Sequence, residues 1–384
     1  MPVGDPVTDY DGLRQHDIAL KTWIDDNLVH KSGTEAETIG GVKTYSSSPL
    51  VPTPADNDDS YKAANTEWVQ GRFAALHIPL WIGEGGVGTE FYVATSGSDT
   101  TGDGSQSKPW ATIRYAAEYL SSNYNINNKE VFINVAAGTY SDQLILPPQS
   151  RTTGQIVIRP ASTNDAVQIT RSMDQIASVI THEGGAWVIR NIPLKIIAAA
   201  QGDSRNKSMN LVRSNSAAGY LELDCCPMEF DDQTVAPVSG TYGTRSVGMV
   251  QSTGGLIYIR NREESPTVNW SGSKANATVY WLVANNSGMI SMRRGEGSTN
   301  AYEYQVSGSF DYFCYCNGGT YQASGGGLVP LFTAVDSPTG KRYDARSGGK
   351  IITGLSSAAD VPTYFPGSTN GTVQSSTYSF ISPA

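Results

Sequence analysis

"STGGLIYIRN", residues 252–261, places alternating side chains behind a pair of glycines. Ile257 and Ile259 fall on one side of an extended chain, and Tyr258 and Arg260 on the other. That is the period of two required of a strand buried on one face. The pattern recurs. "EGGAWVIRN", "SAAGYLELDC", "NNSGMISMRR", "CNGGTYQASG" and "RSGGKIITGL" align with it on Gly185, Gly219, Gly255, Gly288, Gly319 and Gly349, at spacings of 34, 36, 33, 31 and 30 residues. Two places after the glycine stand Trp187, Leu221, Ile257, Ile290, Tyr321 and Ile351; four places after it stand Ile189, Leu223, Ile259, Met292, Ala323 and Thr353. The columns between and beyond them are mixed: Val188, Glu222, Tyr258, Ser291, Gln322 and Ile352, then Arg190, Asp224, Arg260, Arg293, Ser324 and Gly354. Upstream, Ile180, Val212, Val250, Val283 and Cys314 supply a second apolar strand position.

A period of 20–50 residues with one or two short strands per unit belongs to a solenoid or a propeller, and a propeller blade needs four strands in ~40–45 residues. These shorter, loop-rich units therefore predict a mainly β protein, a parallel β-helix with one coil per unit. Like side chains then stack at ~4.8 Å into internal ladders. Earlier apolar runs, "VFINV" (131–135), "LIL" (144–146), "IVI" (156–158), "VQI" (167–169) and "SVI" (178–180), extend the strand-rich region toward the N-terminus. Before them, "PWATIRYAAEYL" predicts an amphipathic helix over 109–120, with Trp110, Ile113, Ala117 and Leu120 on its apolar face. Pro109 suits a first turn, where its missing N–H costs nothing. Such a helix would cap the open end of the stack.

The organisation expected is a helical attachment or trimerisation segment at 1–30, a connector at 31–89, the β-helix at 90–355 and a C-terminal tail at 356–384. Within the first segment, Leu13, Ile18, Leu20, Ile24 and Leu28 form one stripe that needs a partner outside the local sequence. A second helix is expected around 63–76, and "GEGGVG" reads as a flexible joint. The short C-terminal tail leaves little room for a separate receptor head.

Forty glycines and only 16% charged residues favour short strands and turns. The net charge of −9 comes with no Lys/Arg run, which excludes a nucleic-acid footprint. No stretch reaches the ~18 apolar residues of a membrane span. The start, "MPVGDPVTDYDGL", lacks a signal-peptide pattern, so a cytosolic origin is expected. Cys225, Cys226, Cys314 and Cys316 lack zinc spacing and read as buried thiols. No cofactor and no metal site is implied.

Two segments carry a resemblance. "HKSGTEAETIGGVKTYSSSPLVPTP" followed by "DNDDSYKAANTEWV" resembles a connector near the N-termini of phage tail fibres. The matching positions are Gly33, Glu37, Ile39, Gly41, Lys43, Tyr45, Pro49, Pro52 and Pro54, then Ser60, Lys62, Ala63, Ala64, Asn65 and Val69. Two extra residues around Glu35–Ala36 depart from the family spacing, and the family often has Phe where Tyr45 stands. "FYVATSGSDTTGDGSQSKPWATIRYAAEYL" resembles the entry to right-handed β-helix domains of tailspikes. The resemblance implies a homotrimeric virion tail fibre or tailspike. Its N-terminal region would attach to a phage tail or baseplate protein, and its body would bind bacterial surface polysaccharide. Two alternatives stand beside this: a polysaccharide depolymerase acting as hydrolase or lyase, and a structural fibre or adaptor.

Candidate residues follow from the columns. Glu263 and Glu296, each eight places past a repeat glycine, would lie on adjacent coils as a carboxylate pair for glycan cleavage, their repulsion keeping one protonated. Tyr258, Arg260 and Arg293 face outward, where a ring stacks on sugar faces and guanidinium groups suit an acidic glycan. Trp270 and Tyr280, between two coils, are further glycan-binding candidates. Asp224 stands between Arg190 and Arg260, a cross-coil ion-pair ladder. "DTTGDG", residues 99–104, lacks the acidic twelfth residue of a calcium loop and reads as a tight turn.

Overall fold

The computed structural model describes residues 80–82, 88–126, 128–149, 154–173, 177–198, 208–232, 245–261, 267–272, 277–294, 303–323, 329–355, 357, 359–373 and 380–382. The chain divides into two units, Met1–Leu76 and His77–Ala384, and every described residue lies in the second. The helical segment expected at 1–30 and the helix expected around 63–76 lie outside the described residues, as does most of the connector.

Described strands form three large parallel sheets of ten, seven and eight members, here sheets A, B and C. Each coil supplies one strand to each sheet in turn. Gly185–Arg190 (A), Leu194–Ala198 (B) and Ser208–Ser214 (C) make one coil; Gly219–Asp224, Met228–Asp232 and Arg245–Thr253 make the next. The protein is thus a parallel β-solenoid, with three strands per coil where the glycine-aligned pattern exposes one or two. Strands of sheet B such as "MEFDD" alternate over only two apolar positions, Met228 and Phe230, among acidic residues, a run too short to tell from a loop.

The glycine-marked layers are physical layers. Gly185 pairs with Gly219, and the apolar columns run in register as Trp187, Leu221, Ile257, Ile290, Tyr321 and Ile351, and as Ile189, Leu223, Ile259, Met292 and Ala323. The first four members of each column are at most 1% exposed, so both line the interior.

The upstream column needs one correction. Ile180, Val212 and Val250 align with Leu282 rather than Val283, and then with Cys314; Val283 pairs with Gln251 and Tyr315. Sheet C buries consecutive residues here: Leu211 with Val212, Met249 with Val250, Trp281 with Leu282, and Phe313 with Cys314. A strand that turns two adjacent side chains inward breaks the period of two, and alternation cannot be followed across it.

Inside sheet C runs a polar column of His182, Ser214 and Ser252, all fully buried. His182 Nε2 lies 3.1 Å from the Gly185 carbonyl, which can only accept, so Nε2 carries the proton. Nδ1 then accepts from the Ser214 hydroxyl at 2.8 Å. Burial holds the imidazole pKa below its ordinary value and keeps the ring neutral.

The capping helix is Ile113–Asn123, and it packs on the strands Glu90–Val93, Glu130–Val135 and Leu144–Leu146 at the N-terminal end of the stack. Its buried face carries Ile113, Ala116, Ala117 and Leu120. The expected start at Pro109 is too early. Asp99 accepts hydrogen bonds from the Ala111 and Thr112 amides and from the Thr112 hydroxyl, and Thr112 caps the helix by accepting from the Tyr115 amide. That network keeps 109–112 out of the helix. Trp110 instead bridges Val93 in extended form and stacks on Phe91, with ring centroids 5.6 Å apart. The turn reading of 99–104 holds, because the Asp99 oxygens are occupied by this cap and Asp103 accepts from the Ser105 amide. Leu80–Trp81 pairs with Tyr124–Asn125 just after the helix.

At the far end, Phe380–Ser382 adds to sheet A beside Lys350–Ile352, and Thr372–Val373 adds to sheet C. Phe365, 1% exposed, meets Phe313, Tyr321 and Phe332. Tyr364 donates to the Pro330 carbonyl. Residues beyond 355 therefore close the last coils. All four cysteines are buried thiols, and burial raises the thiol pKa of Cys226 and Cys314.

Candidate functional site

The outward face of sheet A collects most of the candidates. Because the strands are in register, the fifth column stacks Asn134, Arg159, Arg190, Asp224, Arg260 and Arg293; Arg190, Asp224, Arg260 and Arg293 are consecutive partners on four coils. The third column places Glu222, Tyr258 and Ser291 beside them.

Tyr258 is the centre of this face. The Arg293 guanidinium carbon lies 5.0 Å from its ring centroid and that of Arg260 5.8 Å. The Tyr220 ring meets it edge-on at 5.5 Å. Tyr220 in turn donates to Gln155, whose amide donates to Glu130, so its position is fixed from two coils away. Burial raises the Tyr220 pKa and keeps the phenol a donor.

The ion pairs differ from the expected ladder. Arg190 pairs with Asp224 at 3.1 Å, but Arg260 turns to Glu222, 3.4 Å away, rather than to Asp224. The side chains of Asp224 and Glu222 are 2% and 6% exposed. Carboxylates this covered need paired cations, so Arg190 and Arg260 are held in place rather than free to swing to a ligand.

Not all candidates share this face. Trp270 lies on the sheet B strand Thr267–Gly272, in register with Phe230. Tyr280 lies on the sheet C strand Ala277–Asn285. Tyr258, Arg260 and Arg293 are brought together; Trp270 and Tyr280 stand on two other sheets. Glu263 and Glu296 lie outside the described residues.

Tyr280 belongs to a second aromatic cluster. Its ring stacks on Tyr312 at 5.5 Å with planes 7° apart, and Tyr315 approaches to 5.0 Å. Burial, then the neighbouring tyrosines, push the Tyr280 pKa up to about 12. Lys341 sits 5.2 Å from the Tyr312 ring centroid and the Arg346 guanidinium carbon 5.9 Å from that of Tyr315. Arg346 is anchored 2.7 Å from the buried Asp344. Stacked rings turn their faces to one another along the solenoid axis and offer their edges outward, a poor platform for a sugar face. Tyr220, Tyr312 and Tyr315 were legible only through the register: carrying the 32-residue offset from Tyr280 to Tyr312 would have found the stack.

No family model, no curated protein and no solved structure matches this chain.

Proposed function

We propose that this chain is a homotrimeric phage tail fibre or tailspike with a right-handed solenoid. It is carried on the virion, attached through residues 1–89 to a tail or baseplate protein, and binds bacterial surface polysaccharide on the outward face of sheet A. The observation that carries the binding role is Tyr258, held by Tyr220 beside two guanidinium groups on successive coils. An aromatic ring fixed among hydrogen-bond donors is the arrangement that saccharide recognition uses. The layered column also repeats its groups at ~4.8 Å, which suits a polymer better than a single small molecule.

The test is binding of the full chain to capsular polysaccharides and lipopolysaccharides, with Tyr258→Ala beside it. Tyr258→Ala is expected to weaken binding by about 1–2 kcal/mol, roughly 5–30-fold. Binding without release of reducing or unsaturated sugar ends fits this reading. Release of such ends, abolished by Glu263→Gln or Glu296→Gln, would establish the depolymerase instead. The structural-adaptor reading is favoured by the ion pairs that tie Arg190 to Asp224 and Arg260 to Glu222. Capture of virion proteins with no glycan bound would establish it.

A further inference from the structure

The outward face of sheet A carries four arginines in its fifth column, and their partners can be followed one by one. Arg159 pairs with Glu90 at 3.4 Å, donates to Asn134 and covers the Phe132 ring at 3.8 Å. Arg190 pairs with Asp224, and Arg260 with Glu222. Each of these three has one carboxylate. Arg293, the next in the column after Arg260, has none among the described residues. Its contact is with the Tyr258 ring, and its Nε, like that of Arg260, is buried with no hydrogen-bond acceptor; Arg260 has the Glu222 carboxylate 3.4 Å away, and Arg293 has no such neighbour among the described residues. A buried guanidinium N–H left without an acceptor is costly, and a carboxylate answers the planar guanidinium fork with two parallel bonds.

We infer that Arg293 is the anion-selecting residue of this face: with Tyr258 against the sugar ring, it makes the site specific for glycans that carry a carboxylate, such as uronic acids. The inference rests on the glycan-binding reading above and adds the substrate class. The carboxylate of the ligand completes the column, supplying to Arg293 what Glu222 supplies to Arg260 one coil earlier. A neutral sugar offers only hydroxyl groups and leaves that charge unmatched. Arg293 therefore sets selectivity, while Tyr258 sets the shared affinity for both kinds of sugar.

The experiment compares a panel of uronate-containing capsular polysaccharides with the same polymers after carboxyl reduction, using the full chain at low salt. The wild-type chain is expected to bind the acidic form about tenfold or more tightly than the reduced form. Arg293→Gln erases that difference while leaving the affinity for the reduced form in place, and Arg293→Lys keeps part of it. Arg159→Gln, whose arginine is committed to Glu90, keeps the full difference. Thermal unfolding of each variant separates loss of fold from loss of selectivity. Equal affinity of the wild-type chain for both forms overturns the inference and leaves glycan binding standing. So does a preference that survives in a folded Arg293→Gln. Binding to no polymer of either form overturns both.

Discussion

Gly219→Ala tests the layer-on-layer contact at the point where it is closest. Gly219 has φ +96, and a Cβ built there would lie 2.0 Å from the Gly185 carbonyl oxygen and 2.5 Å from its carbon. A carbon and a carbonyl oxygen approach to about 3.3 Å at closest in ordinary packing, so the two coils must part by about 1 Å or more. The obstacle is backbone, which has no rotamer to yield. Gly254→Ala is the control. Gly254 has φ +80, but the nearest atom to its Cβ is the Asn286 carbonyl oxygen at 3.9 Å. Both substitutions carry the left-handed strain of about 1–2 kcal/mol. Gly219→Ala adds forced separation of the layers, about 1–3 kcal/mol by analogy with overpacked cores. At roughly 2–4 °C per kcal/mol, Gly219→Ala should melt about 2–12 °C below Gly254→Ala. Calorimetry or circular dichroism at one scan rate measures this, a fixed rate being necessary where unfolding is irreversible. Equal melting temperatures for the two variants would refute the direct stacking of Gly219 on Gly185.

Three further outcomes follow from the same packing. His182 is neutral when folded because burial lowers its pKa below 6.5, so the unfolded chain takes up the proton first; stability should fall as pH drops below about 6.5, and His182→Gln should flatten that part of the melting-versus-pH curve. Phe365→Ala removes the ring that closes the last coils and should cost about 3–5 kcal/mol, read as a lower melting temperature with increased binding of a hydrophobic dye. The four buried thiols should resist a thiol reagent in the folded chain and all react once it is unfolded; prompt labelling of the folded chain would contradict their burial.

The interior of sheet A was legible because every coil repeats a glycine followed by strict alternation. Trp187 over Leu221 over Ile257 over Ile290 follows from spacing alone. Sheet C was legible only in part. Its strand Ala277–Asn285 buries Trp281, Leu282, Val283 and Ala284 in succession, and no pattern of apolar residues can say which of Leu282 and Val283 stands under Val250. The helix start was misplaced because its cap comes from Asp99, twelve residues before Ala111, a contact that local propensity does not contain. On the outward face, the column reading brought Tyr258, Arg260 and Arg293 together correctly. It could not assign Arg260 to Glu222, since both carboxylates are neighbours in register and side-chain direction decides between them.

The central claim is that residues about thirty positions apart lie directly over one another. Paired spin labels at Thr320 and Lys350, register partners on the outward face of sheet A, test it most directly in solution. With doubly labelled chains diluted in unlabelled protein, the account predicts strong spin–spin broadening, because the two backbones are about 4.8 Å apart. A spectrum equal to the sum of the two singly labelled chains would contradict it.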